Sequence, residues 1–230
     1  MIPISDANPR RRFPMATVAI IVLNVAVFLY ELTLPASARD QFVLASGLVP
    51  YRLTHELGAP VVGSLFSSMF LHGGWVHIIG NMLYLWIFGD NIEDTLGTVG
   101  YVLFYFAAGL AAALTQVAAD PASAVPMIGA SGAIAGVLGA YLVLFPRARI
   151  RTLIFILRFV RFTVLPAVVV LGFWFVLQIF SGLASISAAS AEGTAWFAHI
   201  GGFVTGLLVG FIARTRRAPP PPIDYGSRFA

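Results

Sequence analysis

MIGASGAIAGVLGAYLVLF, residues 127–145, is an uncharged apolar stretch with one serine near its start. A helix needs roughly 20 apolar residues to cross a bilayer, and this stretch qualifies. Ser131 sits in the small-residue turn Gly129-Ala130-Ser131-Gly132. Polar groups are costly at membrane depth, so a serine there calls for a functional reading. Five further apolar runs flank it, at residues 16–34, 73–89, 98–118, 162–181 and 195–213. The runs are continuous rather than alternating, which favours helices over strands. The expected fold is an all-α polytopic membrane protein with six transmembrane helices.

Composition supports that reading. Of 230 residues, 59% are hydrophobic and only 10% charged, with mean hydropathy +0.88. Soluble domains carry about a quarter charged residues, so this chain cannot cover a water-facing surface. Nineteen phenylalanines suit lipid-facing helices and interfacial belts. With no cysteine, disulfides, thiolate catalysis and Cys-based metal sites are excluded. The net charge of +4 is no nucleic-acid signal, because the arginines cluster at the ends of apolar runs. The first run has a rival reading as a signal peptide, with Arg10-Arg11-Arg12 before it and Ala36-Ser37-Ala38 after it. It is longer than a usual signal core of about 7–15 residues, which favours a retained anchor.

Arginine placement sets the expected orientation. With the N-terminus inside, the inner segments hold Arg10, Arg11, Arg12, Arg147, Arg149, Arg151, Arg158, Arg161, Arg214, Arg216, Arg217 and Arg228. The outer segments hold only Arg39 and Arg52. Twelve against two gives N-in and C-in. The chain then divides into a cytoplasmic segment 1–15, a membrane domain 16–213 and a cytoplasmic tail 214–230 that contains the proline run 219–222. The long outer connection 35–72 holds two apolar pieces, 42–49 and 60–71, too short to cross. They are expected in the interface or packed on the bundle.

On this topology the second, fourth and sixth runs all enter from the outer side. His77, Asn81, Ser131 and His199 then lie roughly 6–12 Å below the outer ends of their helices, at 1.5 Å per residue. Gly202, Gly206 and Gly210 follow His199, and Gly132, Gly136 and Ala140 follow Ser131, at spacings that let helix backbones touch in lipid. Ser131 lies near a helix N-terminus, where free N–H groups suit a developing oxyanion. His199 has the chemistry of a general base that then acts as an acid. His77 and Asn81, four apart on one face, are two neutral donors for an oxyanion hole. Taken alone, each has a plainer reading: a packing serine, or interhelical hydrogen bonds. Shared depth favours catalysis. A metal site built on His72, His77 and His199 is the sharper rival, but it lacks both the helical zinc spacing and a nearby acidic residue. Asp120 and Glu192 fall in outer loops, and Asp90, Glu93 and Asp94 on the far face, so a Ser–His dyad is expected rather than a triad.

His72-Gly73-Gly74-Trp75-Val76-His77 running to Asn81, Gly89-x3-Glu93, Gly129-Ala130-Ser131-Gly132 and Ala198-His199-x2-Gly202-x3-Gly206 together resemble the rhomboid intramembrane serine proteases. The resemblance implies Ser131 as nucleophile and His199 as base, with His77, Asn81 and the Ser131 N–H as oxyanion hole. It implies a structural role for Glu93, a partly embedded outer loop, and the fifth helix as lateral gate. It also implies cleavage of single-span transmembrane proteins near the outer face, without metal or organic cofactor. The protein would be multi-pass in a cell membrane, the bacterial cytoplasmic one. Its partners would be those substrates and lipid, with no nucleic acid. The runner-up is a catalytically silent relative that binds transmembrane helices; a transporter would need ionisable residues through the bilayer. Two positions depart from the family. Ala135 stands where some members stack a tyrosine on the histidine, so His199 needs another support. Gly63-Ser64 stand near the place of a Trp-Arg pair in the outer loop. The basic stretch 147–161 maps to nothing in the family's activity and is expected to be an amphipathic segment for anionic lipid.

Overall fold

A helix forms within each of the six apolar runs, because backbone polar groups in lipid must be satisfied within their own segment. The computed structural model describes residues 1–56, 58–156, 159–187 and 195–215. The six helices are α1 (Met15–Thr33), α5 (Trp75–Leu96), α6 (Thr98–Ala119), α7 (Ser131–Leu144), α8 (Ala167–Ser187) and α9 (Trp196–Thr215). Among the described residues, four of them (α1, α6, α8 and α9) are long and apolar enough to cross a membrane. A fifth crossing arises if α5 is joined to the preceding helical stretch Ala59–Phe70, from which it bends by 79°. The short helices α2 (Ala36–Ser46), α3 (Pro50–His55) and α4 (Ala59–Ser67), with a 3₁₀ turn Ser68–Phe70, form the connection between α1 and α5. Its apolar pieces pack inward: Leu48, Val49, Val61, Leu65, Met69 and Leu71 are buried.

The chain is not all-α. A three-stranded antiparallel sheet joins β1 (Ile2–Asp6), β2 (Arg149–Ile156) and β3 (Phe159–Pro166) in that order. The basic stretch, expected as an amphipathic segment, therefore forms strands. Its period is two: Arg149 and Arg151 point out while Ile150 and Thr152 are buried, as a half-buried strand requires. Arg151 lies over the Phe162 ring at 5.1 Å, a diagonal neighbour across the ladder. The fifth run consequently begins at Ala167, because residues 162–166 belong to β3. The expected tail beyond Thr215, together with Arg158 and Glu192, lies outside the described residues.

The sheet marks one end of the bundle, since β2 follows the C-terminal end of α7. There Glu93, 4% exposed, accepts hydrogen bonds from the Ala16 and Thr17 N–H groups, each at 2.9 Å. The hydroxyls of Thr17 (2.9 Å) and Thr98 (3.1 Å) also donate to it. A carboxylate here caps the N-terminus of α1 and ties it to α5 and α6, the structural role the resemblance implied.

β1 is held to this end by Asp6, which accepts a 2.5 Å hydrogen bond from the Tyr141 hydroxyl. Asn8 donates to the same tyrosine oxygen at 2.7 Å. Burial pushes the Asp6 carboxyl up to about 7; the Tyr141 bond opposes the shift, and the charge of Asp90 adds to it. An acid with a raised folded-state pKa takes up a proton on docking. Docking of β1 is therefore strongest below the ordinary carboxylate value of 3.8 and weakens as pH rises through about 7. Amide-exchange protection of β1 and β2 is expected to fall across that window, and Asp6→Asn to flatten the dependence.

Candidate active site

α6, α7 and α9 come together through small residues. A Cβ at Gly202 would strike the carbonyl oxygen of Gly132, and one at Gly206 that of Gly136. On the other side of α7, a Cβ at Gly132 would lie 2.7 Å from Ala112, and one at Gly136 2.5 Å from Ala108. This is the small-residue packing that membrane helices use in place of a hydrophobic driving force. α7 is thereby enclosed, with ten of its fourteen residues buried, and a short helix suffices because little of it meets lipid.

This packing sets Ser131 beside His199. His199 Nε2 and Ser131 Oγ are 2.8 Å apart. Ser131 is the first residue of α7, not one turn inside it as the run 127–145 suggested. Residues 127–130 are apolar but not helical: Met127 bridges to Leu48, and Gly129 has φ +121°. A side chain at 129 would be strained and its Cβ would sit 2.7 Å from His77 Nε2. The N-terminal position leaves the Ser131 N–H without an intrahelical acceptor. His199 is in the first turn of α9, whose Phe197 and Ala198 N–H groups donate to Gln116 Oε1 of α6 at 3.0 and 3.3 Å.

His77 and Asn81 occupy the first two turns of α5. His77 Nδ1 accepts from the Gly73 N–H at 3.4 Å, which leaves Nε2–H to donate beside the Gly129 turn. One amide hydrogen of Asn81 is engaged: its Nδ2 lies 3.0 Å from His72 Nε2, while His72 Nδ1 is 3.3 Å from the Phe70 carbonyl. The second Asn81 hydrogen remains for the cavity. His72, which the sequence offered as a motif residue and a metal candidate but not as a partner of the amide, thus orients Asn81. An acidic group does approach this end, contrary to expectation. Glu31, 1% exposed, reaches the His72 N–H at 3.4 Å. Among the described residues, no three of His, Cys, Asp or Glu are grouped so as to hold a metal ion.

Ser131, His199, His77 and Asn81 all line one cavity of about 420 Å³. Its walls come from α5 (Val76, Gly80, Tyr84), α7 (Ile134, Leu138) and α8 (Trp174, Gln178). Ala135, where a stacking tyrosine was missing, is fully buried against α9. His199 is flanked instead by the rings of Trp174 (5.9 Å) and Trp196 (6.1 Å). Its Nδ1 lies 2.7 Å from Gln178 Oε1. The sequence reading passed over Gln178; its one signal is a lone amide in an otherwise apolar run.

A family model, the Rhomboid domain, matches residues 60–216, and so spans Ser131, His199, His77, Asn81 and Gln178. The chain belongs to the rhomboid family. It is 28% identical over 234 residues to RHOMBOID-like protein 4 of Arabidopsis thaliana, covering 90% of this chain and 54% of that protein. Rhomboid protein 1, mitochondrial, of Saccharomyces cerevisiae is 31% identical over 205 residues, covering 84% and 51%. Rhomboid protease GlpG of Haemophilus influenzae is 32% identical over 146 residues, covering 64% and 67%. The chain spans about half the length of the first two of these relatives. Rhomboid membership accords with its apolar helices: it is a multi-pass membrane protein.

Proposed function

We propose that this rhomboid is an intramembrane serine endopeptidase acting on single-span transmembrane proteins. The observation that carries the reading is the 2.8 Å pairing of Ser131 Oγ with His199 Nε2 in a cavity walled by α5, α7, α8 and α9. His199 takes the Ser131 proton as Oγ attacks the scissile carbonyl, and an acyl-enzyme forms once the leaving amine receives that proton. The oxyanion is held by the Ser131 N–H at the start of α7, by His77 Nε2–H and by the free hydrogen of Asn81. Water entering the cavity hydrolyses the ester, with His199 again as base. The names of relatives such as Rhomboid protease GlpG support the assignment.

The proposed topology is six spans, N-in and C-in, in a bacterial cytoplasmic membrane, with segments 1–15 and 214–230 in the cytoplasm. Pairing of β1 with β2 supports it. That pairing holds Arg10–Arg12 and Arg147, Arg149, Arg151 and Arg161 at one end, and the cavity lies at the other.

The test is cleavage of a model transmembrane substrate in liposomes by the wild type, with Ser131→Ala alongside. Cleavage that survives Ser131→Ala would sink the reading, and a folded wild type that neither cleaves nor is labelled at Ser131 by a fluorophosphonate would favour the silent, helix-binding alternative. The double variant His77→Ala with Asn81→Ala is expected to keep its fold and lose roughly 10²–10³ in kcat, as loss of oxyanion donors does. Full activity in it would remove the oxyanion assignment alone.

A further inference from the structure

We propose that Gln178 is the positioning residue of this site, fixing the tautomer of His199 from helix α8; the proposal rests on the protease reading. A general base at His199 needs a bare Nε2 facing Ser131, so the ring proton must sit on Nδ1. Neutral imidazole has two tautomers, and an acceptor at Nδ1 selects the productive one. Gln178 Oε1 is that acceptor, 2.7 Å from Nδ1. The other end of the amide is anchored as well, with Nε2 directed at the Trp174 carbonyl one turn back, at 3.5 Å. An amide whose NH₂ is held there presents its oxygen to the ring.

Burial argues that the contact is selective. Gln178 is 7% exposed, on a helix whose mean hydropathy is 2.2. A polar side chain in such a helix is costly unless paired. Its face is set by the neighbours that share it: Val170 and Leu171 are buried, while Val176, Leu177 and Phe180 are exposed. The plainer alternative is interhelical glue, an amide joining α8 to α9. Glue would bond any polar group. Here the partner is the ring nitrogen opposite the one that meets Ser131. It also occupies the role left open by Ala135, since a buried alanine offers His199 nothing to stack on. The arrangement parallels Cys-His-Asn sites, where a neutral amide orients the histidine.

The location has a consequence. α8 forms a wall of the cavity through Trp174 and Gln178. Displacement of α8 would therefore remove the acceptor from His199 Nδ1, so the base is aligned only when α8 is seated.

Three variants test this in liposomes. Gln178→Leu is expected to lower kcat roughly 10- to 100-fold, the scale on which loss of an orienting partner acts, with KM within about threefold. Gln178→Glu keeps an acceptor at the same distance and is expected to recover most of that loss. Ser131→Ala is the control for background. The decisive readout needs no turnover: ¹⁵N NMR of the histidine rings, with His199 assigned by substitution. The wild type is expected to show the Nδ1–H tautomer, and Gln178→Leu a mixture. A kcat for Gln178→Leu within twofold of wild type, equal losses in the Leu and Glu variants, or an unchanged tautomer would each overturn the proposal. If the wild type cleaves but Gln178 is indifferent, only this inference fails. If the wild type neither cleaves nor labels at Ser131, the protease reading fails, and the tautomer still reports on Gln178.

Discussion

Ser131→Ala is expected to lower cleavage of a transmembrane substrate by about 10⁴-fold or more, to the background of the assay. The serine oxygen lies against His199 Nε2, at 2.8 Å, and at the N-terminus of α7. Alanine removes the bond-forming atom and leaves the cavity, α7 and the donors in place, so the fold is expected to survive. His199→Ala is expected to cost nearly as much, and the double variant little more than either single one. Nucleophile and base act as a unit, and losses at such residues are grossly non-additive. Additive losses would mean that each residue contributes by a separate route. The check is a rate measurement in liposomes with thermal unfolding run in parallel, so that chemistry is separated from folding.

Gly206→Ala is expected to be the most damaging single-carbon change in the helical seam. In an isolated helix alanine is the better former by about 1 kcal/mol. Here the added carbon meets the carbonyl oxygen of Gly136, and backbone cannot move aside as a flexible side chain can. α7 and α9 must separate, and the glycine contacts above and below open with them. Overpacking of this kind is expected to cost roughly 3 kcal/mol or more, lowering the thermal midpoint in detergent by roughly 10 °C. Activity should fall further than stability, because a shift near 1 Å between reacting groups can cost about 10²-fold. Gly172→Ala is the matched control: a Cβ there meets nothing within 4 Å. If Gly206→Ala matched Gly172→Ala in both assays, the seam would not be what holds Ser131 to His199.

Ser131, His199, His77 and Asn81 were legible because each is a polar side chain in an apolar run, and each falls in the first two turns of a helix. The glycine spacing of α7 and α9 was legible for the same reason: small residues at intervals of three and four have few uses in lipid other than close approach. The start of α7 was not, because Met127 and Ile128 are as apolar as the helix they precede. Only the Gly129 conformation and the bridge to Leu48 end the run there. The sheet was hidden in a basic stretch whose arginines drew attention away from the alternation of Ile150 and Thr152. Gln178 could not be read as part of the site, since its meaning depends on how α8 docks against α9. Glu31 was missed because it sits at the end of α1, and only the turn at His72 brings it near the cavity.

The central claim is that His199 activates Ser131. It is tested most directly by fluorophosphonate labelling of the full chain in liposomes, with the adduct mapped by mass spectrometry. The account predicts a single adduct on Ser131 and a labelling rate that drops by roughly two orders of magnitude or more in His199→Ala, as loss of a general base requires. An adduct elsewhere, no adduct on the folded wild type, or equal labelling of His199→Ala would contradict it.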